Sequence, residues 1–145
     1  MTDSVIQFNY GDGTHLTTVY VRANTHKEEF IPILEGIFAD IDKAERFQSG
    51  RLNWENMCLE FIKRLSDWVD RPDGIKITTQ KEDKDCNVIY KHIIQPISDK
   101  YSDFSIQTSK TLNITSKYPI GGELIFEGIL FDFVIKLKNQ IGDEE

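Results

Sequence analysis

Three histidines, two cysteines and a scatter of carboxylates are the side chains in this 145-residue chain best suited to making or breaking bonds. Their spacing does not assemble a reaction. His15, His26 and His92 fall on an expected loop, a helix start and a strand, with no HxxxH or CxxC pair among them. A metal needs three or four converging ligands, and none is written locally. Serines are plentiful, but no strand–turn–helix elbow presents one beside a base. Cys58 lies on the apolar face of a helix, where burial raises a thiol's pKa and removes access, the reverse of a reactive cysteine. The carboxylates Glu28 and Glu29 suit a helix start, and Asp40 and Asp42 a solvated helix face. Gly11-Asp12-Gly13 and Gly121-Gly122 are turn glycines, since neither sits in a phosphate-loop frame. The expectation is no catalytic residue, no metal and no cofactor.

The cluster with most to offer a ligand is Tyr20, Arg22, Asn24 and His26, running off a strand into the start of a helix. A helix N-terminus gathers free amides and a positive dipole, which suits an anion or a partner carboxylate. The everyday use of Asn24 and Thr25 is capping, with Arg22 a surface strand residue.

The elements that must position these residues follow from periodicity. In Leu52–Val69 the residues Trp54, Met57, Cys58, Phe61, Ile62, Leu65, Trp68 and Val69 recur at three- and four-residue steps, one face of a helix. Asn53 is its expected cap and Arg71-Pro72-Asp73-Gly74 its stop. Each large side chain buried there contributes roughly 1.5–3 kcal/mol before entropy is set against it. Upstream, Val5–Tyr10 and Leu16–Ala23 read as a hairpin around Gly11-Asp12-Gly13. Ile6, Phe8 and Tyr10 share one face; Thr17, Val19 and Val21 face the core, and Thr18, Tyr20 and Arg22 the other side. Phe30, Ile33, Leu34, Ile37, Phe38 and Ile41 form a second helical stripe. Thr25 and Glu28 match a capping box before it. Pro32 requires that helix to begin near Glu29 or to kink.

Downstream, Ile75–Gln80 and Val88–Ile94 predict a second hairpin across Lys81–Asp85, although Ile89, Ile93 and Ile97 also suit a helix. Phe104–Ser109 and Leu112–Ser116 read as strands joined near Lys110. The run ELIFEGILFDFVIKLKNQ divides at Glu127-Gly128 into a strand and a helix, with Asp132 and Lys136 as an i,i+4 pair on the wet side. The expected fold is a single α+β domain with a mainly antiparallel sheet of four to six strands and three helices packed mainly on one face. Residues 142–145 read as a frayed acidic tail.

Composition narrows the partners. With 24 acids against 17 bases the net charge is −7, which argues against sequence-independent nucleic-acid binding and suits a basic protein partner. No apolar run approaches the ~18 residues of a membrane helix, and the first residues lack a secretory pattern. Two cysteines without metal-like spacing then read as reduced and cytoplasmic. An exposed sheet edge would allow a homodimer.

The order of elements resembles that of small α+β proteins encoded by phages and bacterial mobile elements. The likeness lies in a hairpin leading into a proline-bearing helix (VYVRANTHKEEFIPILEGIF), a second amphipathic helix, a strand around NVIYKHII and a closing ELIFEGILFDFVIKL. It covers roughly three-quarters of the chain by layout. Where that group carries a His–Ser/Trp–Asp–Gly–Tyr–Pro-like turn, this chain has Arg22-Ala23-Asn24-Thr25-His26. The resemblance implies an α+β fold and a phage setting, and brings no catalytic residues with it. The functional expectation is a non-catalytic acidic binding protein that occupies or inhibits a host protein; the alternative is a protein that sequesters a nucleotide or similar anion near Tyr20–His26.

Overall fold

The hairpin turn shows how closely local chemistry sets the backbone. The Tyr10 amide donates to the Thr14 carbonyl at 2.8 Å and the Gly13 amide to the Tyr10 carbonyl at 2.9 Å. Gly13 takes a φ of +89°, a conformation that side-chain-bearing residues rarely adopt. Asp12 Oδ1 accepts from the Thr14 amide at 3.0 Å and the Thr14 hydroxyl at 2.7 Å. Those bonds hold the Asp12 carboxyl below its ordinary range.

The computed structural model describes residues 4–23, 25, 28–46, 54–70, 74–78, 90–97, 104–111 and 122–144. In chain order the elements are β1 (Ser4–Asn9), β2 (His15–Val21), α1 (Phe30–Arg46), α2 (Trp54–Val69), β3 (Ile75–Thr78), β4 (Tyr90–Pro96), β5 (Phe104–Thr111), β6 (Gly122–Ile129) and α3 (Leu130–Glu144). They make an α+β fold around a six-stranded sheet of order β3-β2-β1-β4-β5-β6. Neighbouring strands are antiparallel except β1 and β4, which run parallel in the middle. Several expectations fall outside the described residues: Asn24 and His26, the Asn53 cap, the Arg71–Asp73 stop, the Lys81–Asp85 loop, Cys86, the Leu112–Ser116 strand, Gly121 and the Ile41 side chain.

Register decides which side chains meet. Ile6 pairs with Val19 on β2 and His92 on β4, and His92 with Thr108 on β5, so these residues point the same way. All three helices pack on that face. Trp54 and Phe61 of α2 meet the Phe8 ring at 6.0 and 5.3 Å, and Trp54 stacks on Phe104 at 5.0 Å. Phe30 of α1 lies against His92, and Phe133 of α3 against His92 and Phe126. Within α2 the buried side is Trp54, Met57, Cys58, Phe61 and Leu65, as its spacing requires.

Where the structure departs from pattern reading, a competing interaction accounts for it. Ile75–Thr78 and Tyr90–Pro96 are strands, but they do not form a hairpin. β3 lies on the sheet edge against β2, while β4 inserts beside β1 and runs parallel to it. On β4 the residues Tyr90, His92, Ile94 and Pro96 are buried, as the covered side of a sheet requires. β5 continues through Lys110 rather than turning there, because its partners on β4 and β6 extend that far. β6 runs through Gly128, so the strand-to-helix break falls after Ile129.

Thr25 does not cap α1. It is fully buried, with its hydroxyl bonded to Ser4 and His92 instead. α1 starts at Phe30, which leaves Pro32 exposed in the first turn, where its missing amide costs nothing. Asp70, at a φ of 50°, ends α2 by donating its amide to the Ser66 carbonyl at 3.0 Å. Lys136 does not pair with Asp132. Its ammonium donates to the Ile125 carbonyl at 3.1 Å and lies 5.4 Å over the Phe126 ring.

One glycine is explained by the α1–α2 seam. A Cβ at Gly36 would overlap the Arg64 guanidinium, which lies against the α1 backbone. There Arg64 Nη1 donates to Asp40 at 3.1 Å and the guanidinium sits 5.6 Å over the Phe61 ring. Glycine inside a helix costs about 1 kcal/mol relative to alanine, so the packing must offset that. Urea denaturation should therefore give opposite signs in two backgrounds. Gly36→Ala should be neutral or destabilising in the parent chain, and should stabilise an Arg64→Ala variant by about 0.5–1 kcal/mol.

Candidate functional site

Of Tyr20, Arg22, Asn24 and His26, the structure describes the first two. Tyr20 is on β2, 8% exposed, with the Lys76 ammonium 5.9 Å from its ring centroid. It points away from the helices, because its register partner is Val5, on the opposite side of β1 from Ile6. Arg22 lies just past β2 and is exposed, and its amide donates to the Gly74 carbonyl at 2.9 Å. Asn24 and His26 are outside the described residues. Thr25, between them, turns into the core.

That inward turn completes a polar chain no local motif announces. Thr25 Oγ1 lies 2.6 Å from His92 Nε2, and His92 Nδ1 lies 2.9 Å from Thr108 Oγ1. On the far side Thr25 Oγ1 and its amide reach Ser4 Oγ at 3.1 and 3.3 Å, and Ser4 donates to the Ala23 carbonyl at 2.8 Å. Four elements converge here: β1, the segment before α1, β4 and β5. Phe30 stacks on the imidazole at 5.4 Å and Phe133 meets it edge-on at 6.0 Å. His92, on a strand as its sequence position suggests, is only 1% exposed. The available signal was its place in β4's alternation, between Tyr90 and Ile94, since a buried imidazole has to find partners.

A hydroxyl within hydrogen-bond reach of an imidazole has the geometry of an activated nucleophile. Here Ser4, Thr25, His92 and Thr108 are all sealed from solvent. The chain as it stands joins core elements and presents no atom to a substrate. The other described histidine, His15, is partly buried with Nε2 2.7 Å from Thr18 Oγ1. Among the described residues no three His, Cys, Asp or Glu side chains come together as a metal site requires. No helix among them is long and apolar enough to cross a membrane.

The surface is more informative. On α3, Phe131 is 56% exposed and Ile135, one turn on, 43%. Phe131 meets the partly buried Phe38 of α1 edge-on at 5.9 Å. Together they form an apolar strip along the α1–α3 seam, next to the Lys138–Glu35 ion pair at 3.4 Å and the exposed Asp132. Leu124 and Ile129 are also exposed, on the edge strand β6.

Cys58 is buried on α2, and burial, with the Glu55 carboxylate nearby, pushes its thiol far above the ordinary range. Nearby, Tyr10 Oη donates to Glu55 at 2.8 Å, and that bond is the first cause raising the phenol's pKa. Iodoacetamide at pH 8 should leave Cys58 unmodified in the native protein and alkylate it in denaturant, as read by peptide mass. Rapid native labelling would mean that α2 opens readily. No family model, curated protein or solved structure matches the chain.

Proposed function

We propose that the protein is a non-catalytic acidic binding protein that docks on a basic partner protein through the α1–α3 seam. The observation that carries this reading is the solvent-facing strip of Phe131 and Ile135 beside Phe38. A soluble surface rarely spends two adjacent large apolar side chains without use, and such anchors dominate docking energetics. The occupant is a short amphipathic segment: apolar side chains for the strip, and Lys or Arg to meet the acidic balance of −7. The phage or mobile-element setting implied by the order of elements would make this partner a host protein and the outcome its inhibition.

The test is affinity capture from a bacterial lysate with the parent chain and a Phe131→Glu/Ile135→Glu variant of unchanged denaturation midpoint. With about half of each side chain left to bury, the two anchors together are worth about 1.5–3 kcal/mol, so the variant should bind about ten- to a hundredfold more weakly. The parent's partner should be basic and should release with added salt. Retention of the same partner by the variant would remove the seam from the interface. A parent dimer in solution that the variant loses would assign the seam to a second copy. A nucleotide that raises the melting temperature, with no protein captured, would favour anion sequestration instead.

A further inference from the structure

The buried polar chain can be read proton by proton. A carbonyl only accepts, so the single Ser4 hydroxyl hydrogen goes to Ala23. Ser4 Oγ must then accept from the Thr25 hydroxyl at 3.1 Å. Thr25 Oγ1, its own hydrogen committed, must accept from His92 Nε2 at 2.6 Å. The ring therefore carries a proton on Nε2. A neutral ring leaves Nδ1 to accept from the Thr108 hydroxyl at 2.9 Å.

From this order we propose that His92 is a pH-sensitive latch: its neutral Nε2–H form fastens Thr25, and with it the start of α1, to the middle of the sheet, and the site must open before the ring takes a second proton. A second proton on Nδ1 would meet the Thr108 hydrogen and force that hydroxyl to turn round. It would also leave a full charge between the Phe30 and Phe133 rings, at a site 1% exposed. Among the described residues, the carboxylates that would favour that charge are exposed and screened by water. Tyr90 and Lys110 share the sheet face, with the Lys110 ammonium 5.8 Å from the Tyr90 ring centroid. Glu28 and Glu29 precede Phe30 and are exposed; on α3, Asp132 is exposed and Lys136 is turned to Ile125.

The sign follows from linkage. The opened form takes up a proton that the latched form does not, so the latch is strong above the ordinary imidazole range and fades below it. With an opened-form pKa of about 6.5, the opening equilibrium should rise about thirtyfold between pH 7.5 and pH 5. Amide hydrogen exchange at Thr25, corrected for intrinsic rates, reads that equilibrium directly. A His92→Gln variant, which keeps a donor and cannot titrate, should show a smaller fall in denaturation midpoint over the same pH range. A long-range nitrogen–proton spectrum of the parent chain at pH 7.5 should show the neutral Nε2–H tautomer, whether or not the variant folds. An Nδ1–H or doubly protonated ring at pH 7.5, pH-independent Thr25 exchange, or a folded variant with the parent's acid response would overturn the proposal.

Discussion

A seam of stacked and edge-on rings between one face of the sheet and its helices holds this fold in register. It starts at Phe104 on β5, passes through Trp54 of α2 to Phe8 on β1, returns to Phe61 of α2 and reaches Phe30 of α1. From Phe30 it crosses His92 on β4 to Phe133 of α3 and ends at Phe126 on β6. Each contact joins two elements, and aromatic pairs of this kind contribute about 0.5–1.5 kcal/mol beyond their buried area. Each helix is tied to the sheet by at least one of these contacts. Trp54 adds a directional tie, donating its indole N–H to the Asn9 carbonyl at 2.9 Å.

The same seam accounts for the parallel pairing at the centre of the sheet. Putting β4 beside β1 sets His92 next to Ile6 and Ile94 next to Phe8, which brings the imidazole under Phe30 and Phe133. A β3–β4 hairpin would have separated those residues from Ile6 and Phe8 and left β1 with one partner. The opposite face of β1 is also buried and is partly polar: beside Val5, Gln7 donates to Asn9 at 2.9 Å, with Thr18 as its neighbour across the strands. Satisfying those amides and hydroxyls is what makes their burial tolerable.

The hydrogen-bonded polar side chains of the core and the exposed apolar side chains of the surface are different sets of residues. The imidazole and hydroxyls that would suit chemistry are spent on joining four elements, deep inside. The described surface carries exposed apolar side chains among carboxylates and ammonium groups.

Much of this was legible from residue order. The helical face of Trp54–Val69 has period 3.6 and long, unambiguous apolar side chains, so its buried side could be read directly. The first hairpin followed from two strands and a glycine-bearing turn, and the α+β class from the sequence of elements. Those are local properties, set by spacing and by backbone preference. Which strand lies beside which is a long-range choice between competing partners, and only packing decided that β4 joins β1. The roles of Thr25, Gly36 and Lys136 were hidden for the same reason: Ser4, His92, Arg64 and the Ile125 carbonyl come from distant parts of the chain or from across a break between elements. Spacing along a chain encodes what a segment can become; the contacts that give a side chain its task exist only once distant segments have met.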